Sequence, residues 1–292
     1  MGQFFVSMQY LLPQHALSRV VLAATRVQAP WIKDALIGAF LRGYAPDMSD
    51  AAVTDAHAYA SFNAFFTRAL REGTRPLADG ADTLACPVDG TVSQAGRIDG
   101  NQIFQAKGHR YSLEALLSGA ASGAAAGFVD GSFATIYLAP YNYHRIHMPC
   151  DGVLREAWYV PGRLFSVNGT TAAAVPGLFA RNERVVLLFD GACGPFAVIL
   201  VGALFVGSMT TVWHGDVTPR RGRRPERLGL EPHAAPLALP RGAELGRFNM
   251  GSTVILLYGK GRAELLERCT AGQIVRLGEP LGRTLPAAAG TA

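Results

Sequence analysis

The sequence predicts an α+β fold: N-terminal amphipathic helices followed by a mostly antiparallel, barrel-like β domain. Three observations predict it. Helical spacing of apolar residues dominates the first 75 positions or so. After them come short runs rich in β-branched residues. Six Asp-Gly pairs, a dipeptide suited to tight turns, punctuate those runs.

The first 45 residues read as two short helices. Leu17, Val20, Val21 and Ala24 follow the i, i+3, i+4, i+7 rule, and Ile32, Ala35, Leu36, Ala39 and Phe40 follow it again. Pro30 is placed to start the second helix, because a first-turn proline lacks only an N–H that has no partner there. Phe4, Phe5 and Trp31 add apolar surface, and Arg19, Arg26, Lys33 and Arg42 flank it. Such faces suit either the interface of a membrane or packing on the chain's own core. A third helix is expected over 61–71, through Phe62, Phe65, Phe66 and Leu70, with Arg75-Pro76 as its stop. Residues 1–75 thus form a helical region, and residues 76–292 a β-rich domain.

Within the second region strands are expected over 133–138, 153–160, 185–189, 196–206 and 253–258. One helix, over 112–117, interrupts them. The turns are Asp79-Gly80, Asp89-Gly90, Asp99-Gly100, Asp130-Gly131, Asp151-Gly152 and Asp190-Gly191. There is no internal repeat and no glycine loop of the phosphate-binding type.

Composition narrows the function classes. A chain of 292 residues can bury a real core as one large domain or one domain with an appendage. Hydrophobic residues make up 49% and charged residues 17%, and the mean hydropathy is +0.17. That is apolar for a soluble enzyme but not for one resting on a membrane. The net charge of +5 and the pI near 9.2 point to anionic partners. Five arginines crowd into Arg220, Arg221, Arg223, Arg224 and Arg227, a Pro- and Gly-rich stretch that reads as a solvated loop. Few aromatics interleave with them, so no nucleic-acid partner is expected. Cys86, Cys150, Cys193 and Cys269 lie far apart without a C-x-x-C spacing, as free thiols in a reducing compartment would. The N-terminus lacks the positive segment of a signal peptide. No membrane-spanning helix is expected: charges interrupt the N-terminal candidates, and glycines and Pro195 break up 192–213. Val6 stands where a myristoylation motif needs Ser or Thr.

The chemistry centres on Gly251-Ser252, which opens directly into the apolar run Thr253-Val254-Ile255-Leu256-Leu257. A serine hydroxyl freed of its proton can attack the preceding carbonyl and turn that amide into an ester. Glycine lets the carbonyl be approached closely. β-Elimination then frees the upstream chain and leaves dehydroalanine, and hydrolysis gives a pyruvoyl group at the new N-terminus. The dipeptide alone is weak evidence, since Gly131-Ser132 and Gly207-Ser208 are also present. The reaction needs a base. Two of the seven histidines, His144 and His147, sit in one segment, Tyr141 to Pro149. A neutral imidazole suits base catalysis at cellular pH. With Cys150 the pair could also face a metal, but no carboxylate completes a ligand set and no metal is expected. An orienting carboxylate is also wanted. Asp89 is a candidate, though spacing does not distinguish it from the other Asp-Gly aspartates.

Several motifs in order decide the matter. Phe65-Phe66-Thr67-Arg68, Pro87-Val88-Asp89-Gly90-Thr91, the run from Gln105 to Leu117, the segment Tyr143 to Pro149, the run from Tyr159 to Asn168, Ala180 to Arg184, and Met250-Gly251-Ser252-Thr253 resemble the bacterial phosphatidylserine decarboxylases. The resemblance runs from about residue 4 to about residue 282. It implies a self-processing proenzyme with a triad of Asp89, His147 and Ser252, cut after Gly251 into a large chain (1–251) and a small chain (252–292). Ser252 becomes the pyruvoyl cofactor, which forms a Schiff base with the serine amine of phosphatidylserine. Carbon dioxide leaves and phosphatidylethanolamine is released. His144 takes the place of a histidine near the substrate and is the candidate acid for the final protonation. Met250 departs from the leucine of many members, a change between apolar residues of similar volume. The resemblance also implies peripheral attachment to the cytoplasmic face of the cell membrane, with the N-terminal helices on an anionic lipid surface. The oligomeric state stays open, a homodimer included. Two other readings predict an uncut chain. One is a serine hydrolase using Ser208 or Ser252, although the G-x-S-x-G elbow is absent. The other is a lipid-surface binding module without catalysis.

Overall fold

The computed structural model describes residues 2–118, 123–205, 208–220, 222–229 and 235–285, with the backbone alone at 2–5. The side chains of Phe4 and Phe5, Gly207 of the second Gly-Ser pair, Arg221 of the arginine-rich stretch and the end of the chain from 286 lie outside the described residues.

Three helices, not two, open the chain: α1 (Gly2–Leu11), α2 (Gln14–Thr25) and α3 (Pro30–Tyr44). Pro13 separates the first two, and Pro30 starts the third as expected. Helix α2 docks through a largely polar stripe. The buried stripe of α2 is Gln14, Ser18, Leu22 and Thr25, while Val20 of the expected apolar face is 67% exposed. Glutamines do the anchoring: Gln9 Oε1 accepts from Ser166 N at 2.7 Å and Gln14 Oε1 from Leu164 N at 2.8 Å. These side chains satisfy backbone donors that burial would otherwise leave unpaired. Leu11 and Trp31 are 87% and 76% exposed. Phe40, in contrast, is core. It packs edge-on against Phe62, Phe65 and Phe66, in a cluster with Ile37 and Ala56.

The third expected helix is cut short. Helix α4 covers only Phe62–Phe66. Ser61 caps it by accepting from Ala64 N, and Thr67 Oγ1 donates back to Asn63 O at 2.8 Å. Residues 69–71 then pair with 50–52 instead of continuing the helix: Ala52 N donates to Ala69 O and Arg71 N to Asp50 O.

The β region is built on a nine-stranded sheet whose strand pairs are all antiparallel. Its long strands run, in spatial order, Gly152–Val160, Arg184–Gly191, Gly194–Val201, Thr253–Tyr258, Ser132–Tyr137 and Gly90–Arg97. The sheet is open, and the expectation of a barrel is corrected. At one edge the two-residue strands Glu226–Arg227 and Ala238–Leu239 pair with Gly152–Val160, and at the other Ile274–Val275 pairs with Gly90–Arg97. Such short strands cap each edge but carry too few backbone groups to join one edge to the other.

The strand Thr253–Tyr258 occupies the centre. It is flanked on one side by Gly194–Val201 and on the other by Ser132–Tyr137, and every one of its residues is buried. It starts directly after Ser252, so the Gly251-Ser252 peptide stands at the entrance to the most enclosed strand. A smaller sheet, in the order Gly215–Asp216, Met209–Thr211, Glu244–Phe248, Arg145–His147, holds the histidine segment beside the chain that leads to Gly251.

Candidate active site

Ser252 is wholly buried. Its carbonyl accepts from Leu138 N at 2.7 Å, and its hydroxyl donates to the Val201 carbonyl. Both neighbouring strands therefore grip the residue. Gly251 is packed as closely: a β-carbon there would stand 3.0 Å from His144 Cε1 and 3.3 Å from the Leu138 carbonyl. Asn249 is tied to helix α4, because Asn63 Nδ2 donates to its carbonyl at 3.0 Å. Met250 packs against both clusters of buried apolar residues. A cavity of about 300 Å³ reaches Gly251, with Phe40, Tyr44, Phe66, Leu138 and Met250 in its wall. It joins the N-terminal helices to the peptide at issue.

The two histidines serve different neighbours. His144 has no exposed surface and stacks on Phe66, with ring centroids 4.1 Å apart and planes 17° apart. Its Nε2 lies 3.1 Å from the Pro140 carbonyl and therefore carries the proton. Its Nδ1 keeps a bare lone pair with no partner among the described residues. Burial pushes its pKa down to about 3, so the ring is neutral at cellular pH. His147 Nδ1 lies 2.8 Å from the Gly242 carbonyl, which fixes that proton and leaves Nε2 to accept from Tyr143 Oη at 2.9 Å. Burial lowers the pKa of His147 also. Burial pushes the Tyr143 phenol up, keeping it a donor.

Asp89 is buried and held by Arg75, whose Nε and Nη2 donate to its two oxygens at 3.1 and 2.7 Å. Leu277 N adds a third hydrogen bond at 2.8 Å. The paired carboxylates of Asp89 and Asp50 raise the Arg75 pKa. Gly90 must be glycine, because a β-carbon there would fall 2.5 Å from the Tyr137 carbonyl.

The structure thus brings Asp89 and His147 onto adjoining chain, where His147 N donates to the Pro87 carbonyl at 2.9 Å. It brings His144 and Gly251 into contact. The Ser252 hydroxyl is bonded to Val201 and not to either histidine, and Asp89 is bonded to Arg75 and Leu277 rather than to His147. Sequence reasoning missed four contributors: Phe66 under His144, Tyr143 on His147, Arg75 on Asp89, and the Val201 carbonyl. Phe66 and Tyr143 lay inside motifs already singled out. Arg75 was read only as a helix stop.

Elsewhere, Glu183 is buried, accepts from Tyr159 Oη at 3.0 Å, and has its pKa pushed up to about 7 by that burial. Among the described residues no three His, Cys, Asp or Glu side chains cluster closely enough to hold a metal, and no helix is long and apolar enough to cross a membrane.

The family model for phosphatidylserine decarboxylase matches residues 62–283, and a second model, described as PSD, matches residues 4–45. A phosphatidylserine decarboxylase proenzyme of Pseudomonas aeruginosa strain LESB58 is 54% identical over 279 residues, covering 96% of both chains. Proteins of the same name from Acidovorax ebreus and Methylococcus capsulatus are 55% identical over 273 residues and 51% identical over 280 residues. Those alignments cover 94% and 96% of this chain, and 95% and 96% of the relatives. Identity of this order over nearly the whole length, with the family model spanning residues 62–283, means that the chain belongs to the phosphatidylserine decarboxylase family.

Proposed function

We propose that the protein cuts itself between Gly251 and Ser252 and then decarboxylates phosphatidylserine to phosphatidylethanolamine. One observation carries this reading. A buried glycine-serine peptide stands at the head of the central strand, with a neutral histidine pressed against the glycine, in a chain more than half identical to named proenzymes.

The residues present fit a pyruvoyl group made from Ser252. The precursor needs a hydroxyl beside a carbonyl without steric cover, and Gly251-Ser252 supplies both. It needs a neutral base, and burial keeps both His144 and His147 in that state. In the triad carried over by resemblance, His147 takes the Ser252 proton and Asp89 supports it. Asp89 supports it through the field of a carboxylate fixed by Arg75. His144 packs against Gly251 during cutting, and its bare Nδ1 must first take up a proton before it protonates the product carbon during turnover. The hydrogen bond from Leu138 N to the Ser252 carbonyl survives the cut and keeps the new N-terminus in place, whereas the bond to Val201 is lost with the hydroxyl. When formed, the pyruvoyl ketone supplies the electron sink for the pair released by the departing carboxylate.

The exposed apolar residues of α1 to α3 support attachment to the cytoplasmic membrane face, where the acyl chains of the substrate stay in the bilayer. The cavity beside Gly251 then gives the head group a way in from the helical region.

Intact mass of the purified protein tests the proposal. Two chains are expected, 1–251 and 252–292, the second refusing Edman degradation because it begins with a ketone. Phosphatidylserine in vesicles should yield phosphatidylethanolamine and carbon dioxide. A single uncut chain, or a cut after Gly207, would sink the reading.

A further inference from the structure

Three arginines near the histidine segment have a carboxylate partner. Arg75 pairs with Asp89 and Asp50, and Arg145 and Arg247 share Glu244. Arg68 has none among the described residues. It is 3% exposed, and its one hydrogen bond runs from Nη2 to the Tyr141 carbonyl at 3.2 Å. Its Nε and Nη1 are buried with no acceptor among the described residues. Its guanidinium lies 5.8 Å from the centre of the Phe65 ring, a contact that only partly offsets the loss of water. An unpaired buried charge costs several kcal/mol, so this is a site where a negative charge is wanted.

Self-cutting creates such a charge nearby, an inference that rests on the reading above. In the elimination step a base takes the Cα proton of Ser252. The Cβ–O bond of the ester breaks, its electron pair leaves on the Gly251 carboxylate, and a Cα–Cβ double bond forms. A neutral ester thereby becomes a buried carboxylate. Helix α4, which ends two residues before Arg68, is already bound to this stretch of chain. Asn63 of α4 holds the Asn249 carbonyl, Phe66 stacks on the His144 that touches Gly251, and Met250 packs on the same aromatic cluster.

We propose that Arg68 is the counter-ion reserved for the new C-terminal carboxylate of Gly251, unpaired in the precursor and paired once the chain is cut. The pairing makes elimination favourable and holds the large chain's end beside the site. Arg68 is a positioning residue in this role, acting on the leaving carboxylate and not on the lipid.

The test is a thermal double-mutant cycle on the full chain. Arg68→Met removes the charge and keeps the length. In the cut protein it should lower Tm by roughly 5 °C or more, since it strands the Gly251 carboxylate. In the uncut Ser252→Ala background it should leave Tm unchanged or raise it, because there it removes an unpaired charge. Arg68→Lys should restore most of the stability of the cut form. Equal losses in both backgrounds would make Arg68 merely structural and overturn the proposal. So would unchanged stability of both forms with lost activity on phosphatidylserine, which would assign the charge to the substrate. If Arg68→Met fails to cut, neutral hydroxylamine decides. Release of the two chains means a stalled ester, the expected result. Resistance means arrest before any ester forms, which overturns the proposal. If the wild-type chain is itself uncut, the processing reading fails first, and intact mass of that control shows it.

Discussion

His144 stands against the bare α-carbon of Gly251, and a methyl group there would come within 3.0 Å of its Cε1. Neither partner can yield easily, because the imidazole is stacked on Phe66 and the other neighbour is the Leu138 backbone carbonyl. Gly251→Ala should therefore displace the peptide from its attacking hydroxyl. Misplacement on the order of 1 Å costs about 10²-fold in rate. The measurement is the time course of precursor loss on a gel, with circular dichroism to confirm an unchanged fold. Cutting at the wild-type rate would show that the contact does not position the carbonyl.

The two histidines can be told apart by the step they affect. His147→Ala should slow self-cutting by roughly 10²–10⁴, the usual worth of a positioned base. Asp89→Ala should slow it less, but should also destabilise the fold, because it leaves the partly buried guanidinium of Arg75 with Asp50 alone. His144→Ala should cut more readily than His147→Ala and then fail in turnover. Ser252→Ala should stay whole and inactive. Normal cutting in His147→Ala, with arrest in His144→Ala, would transfer the role of base to the histidine that already touches Gly251.

Much of this site could be read from the chain, and the reasons for the rest are physical. The strand over 253–258 was legible to the residue because an unbroken apolar run admits little else, and the structure gives Thr253–Tyr258. The expected helix over 61–71 was too long because Phe62, Phe65 and Phe66 have helical spacing, yet Leu70 pairs with Ala51 in a β-bridge. Spacing reports one face of an element and not where the element stops. The inward face of α2 was not legible for a related reason. Gln14, like Gln9 of α1, looks like a solvent residue until the backbone donors of Leu164 and Ser166 need acceptors. Barrel closure was not legible at all, since it depends on edge strands of two residues that no period can show. The clamp of Arg75 on Asp89 joins positions far apart in space only until the chain folds, and charge alone could not select it from 27 basic residues.

Glu183 gives a pH signature. Burial raises its pKa in the fold to about 7, above the ordinary 4.5. Between those values the folded chain holds a proton that the unfolded chain has lost. Its contribution is therefore fully present below about pH 4.5 and declines as pH rises through about 7. Tyr159, His15 and Arg220 are the titratable groups around it, with His15 Nδ1 3.7 Å from its carboxylate and Arg220 over the Tyr159 ring. Glu183→Gln keeps the acceptor for Tyr159 and cannot ionise. At pH 8 it should be more stable than the wild type by on the order of 2 kcal/mol, and near pH 4.5 the difference should vanish. Urea midpoints at the two values measure this. A difference that grows toward acid would show that the charged form is the one the fold prefers.

The N-terminal helices leave Leu11, Val20 and Trp31 exposed while burying Leu22, Ile37 and Phe40, which decides how their role at a membrane should be tested. Phe40 is unsuitable, because it sits in the aromatic cluster with Phe62, Phe65 and Phe66 and its loss would damage the fold. Leu11 and Trp31 are 87% and 76% exposed, so replacing both with serine removes little from the core. Burying each in lipid is worth roughly 1.5–3 kcal/mol, enough together to govern reversible attachment. Arg19 and Arg42 add an attraction to anionic head groups that salt screens, whereas the apolar part is not screened. The wild type should therefore sediment with vesicles containing phosphatidylserine, less so at high salt but still measurably. The double variant should cut itself normally and bind vesicles at least tenfold more weakly. It should turn over bilayer substrate slowly, yet act on a short-chain, monomeric phosphatidylserine at the wild-type rate. Unchanged vesicle binding by a folded, self-cut double variant would show that these helices are not the membrane surface of the protein.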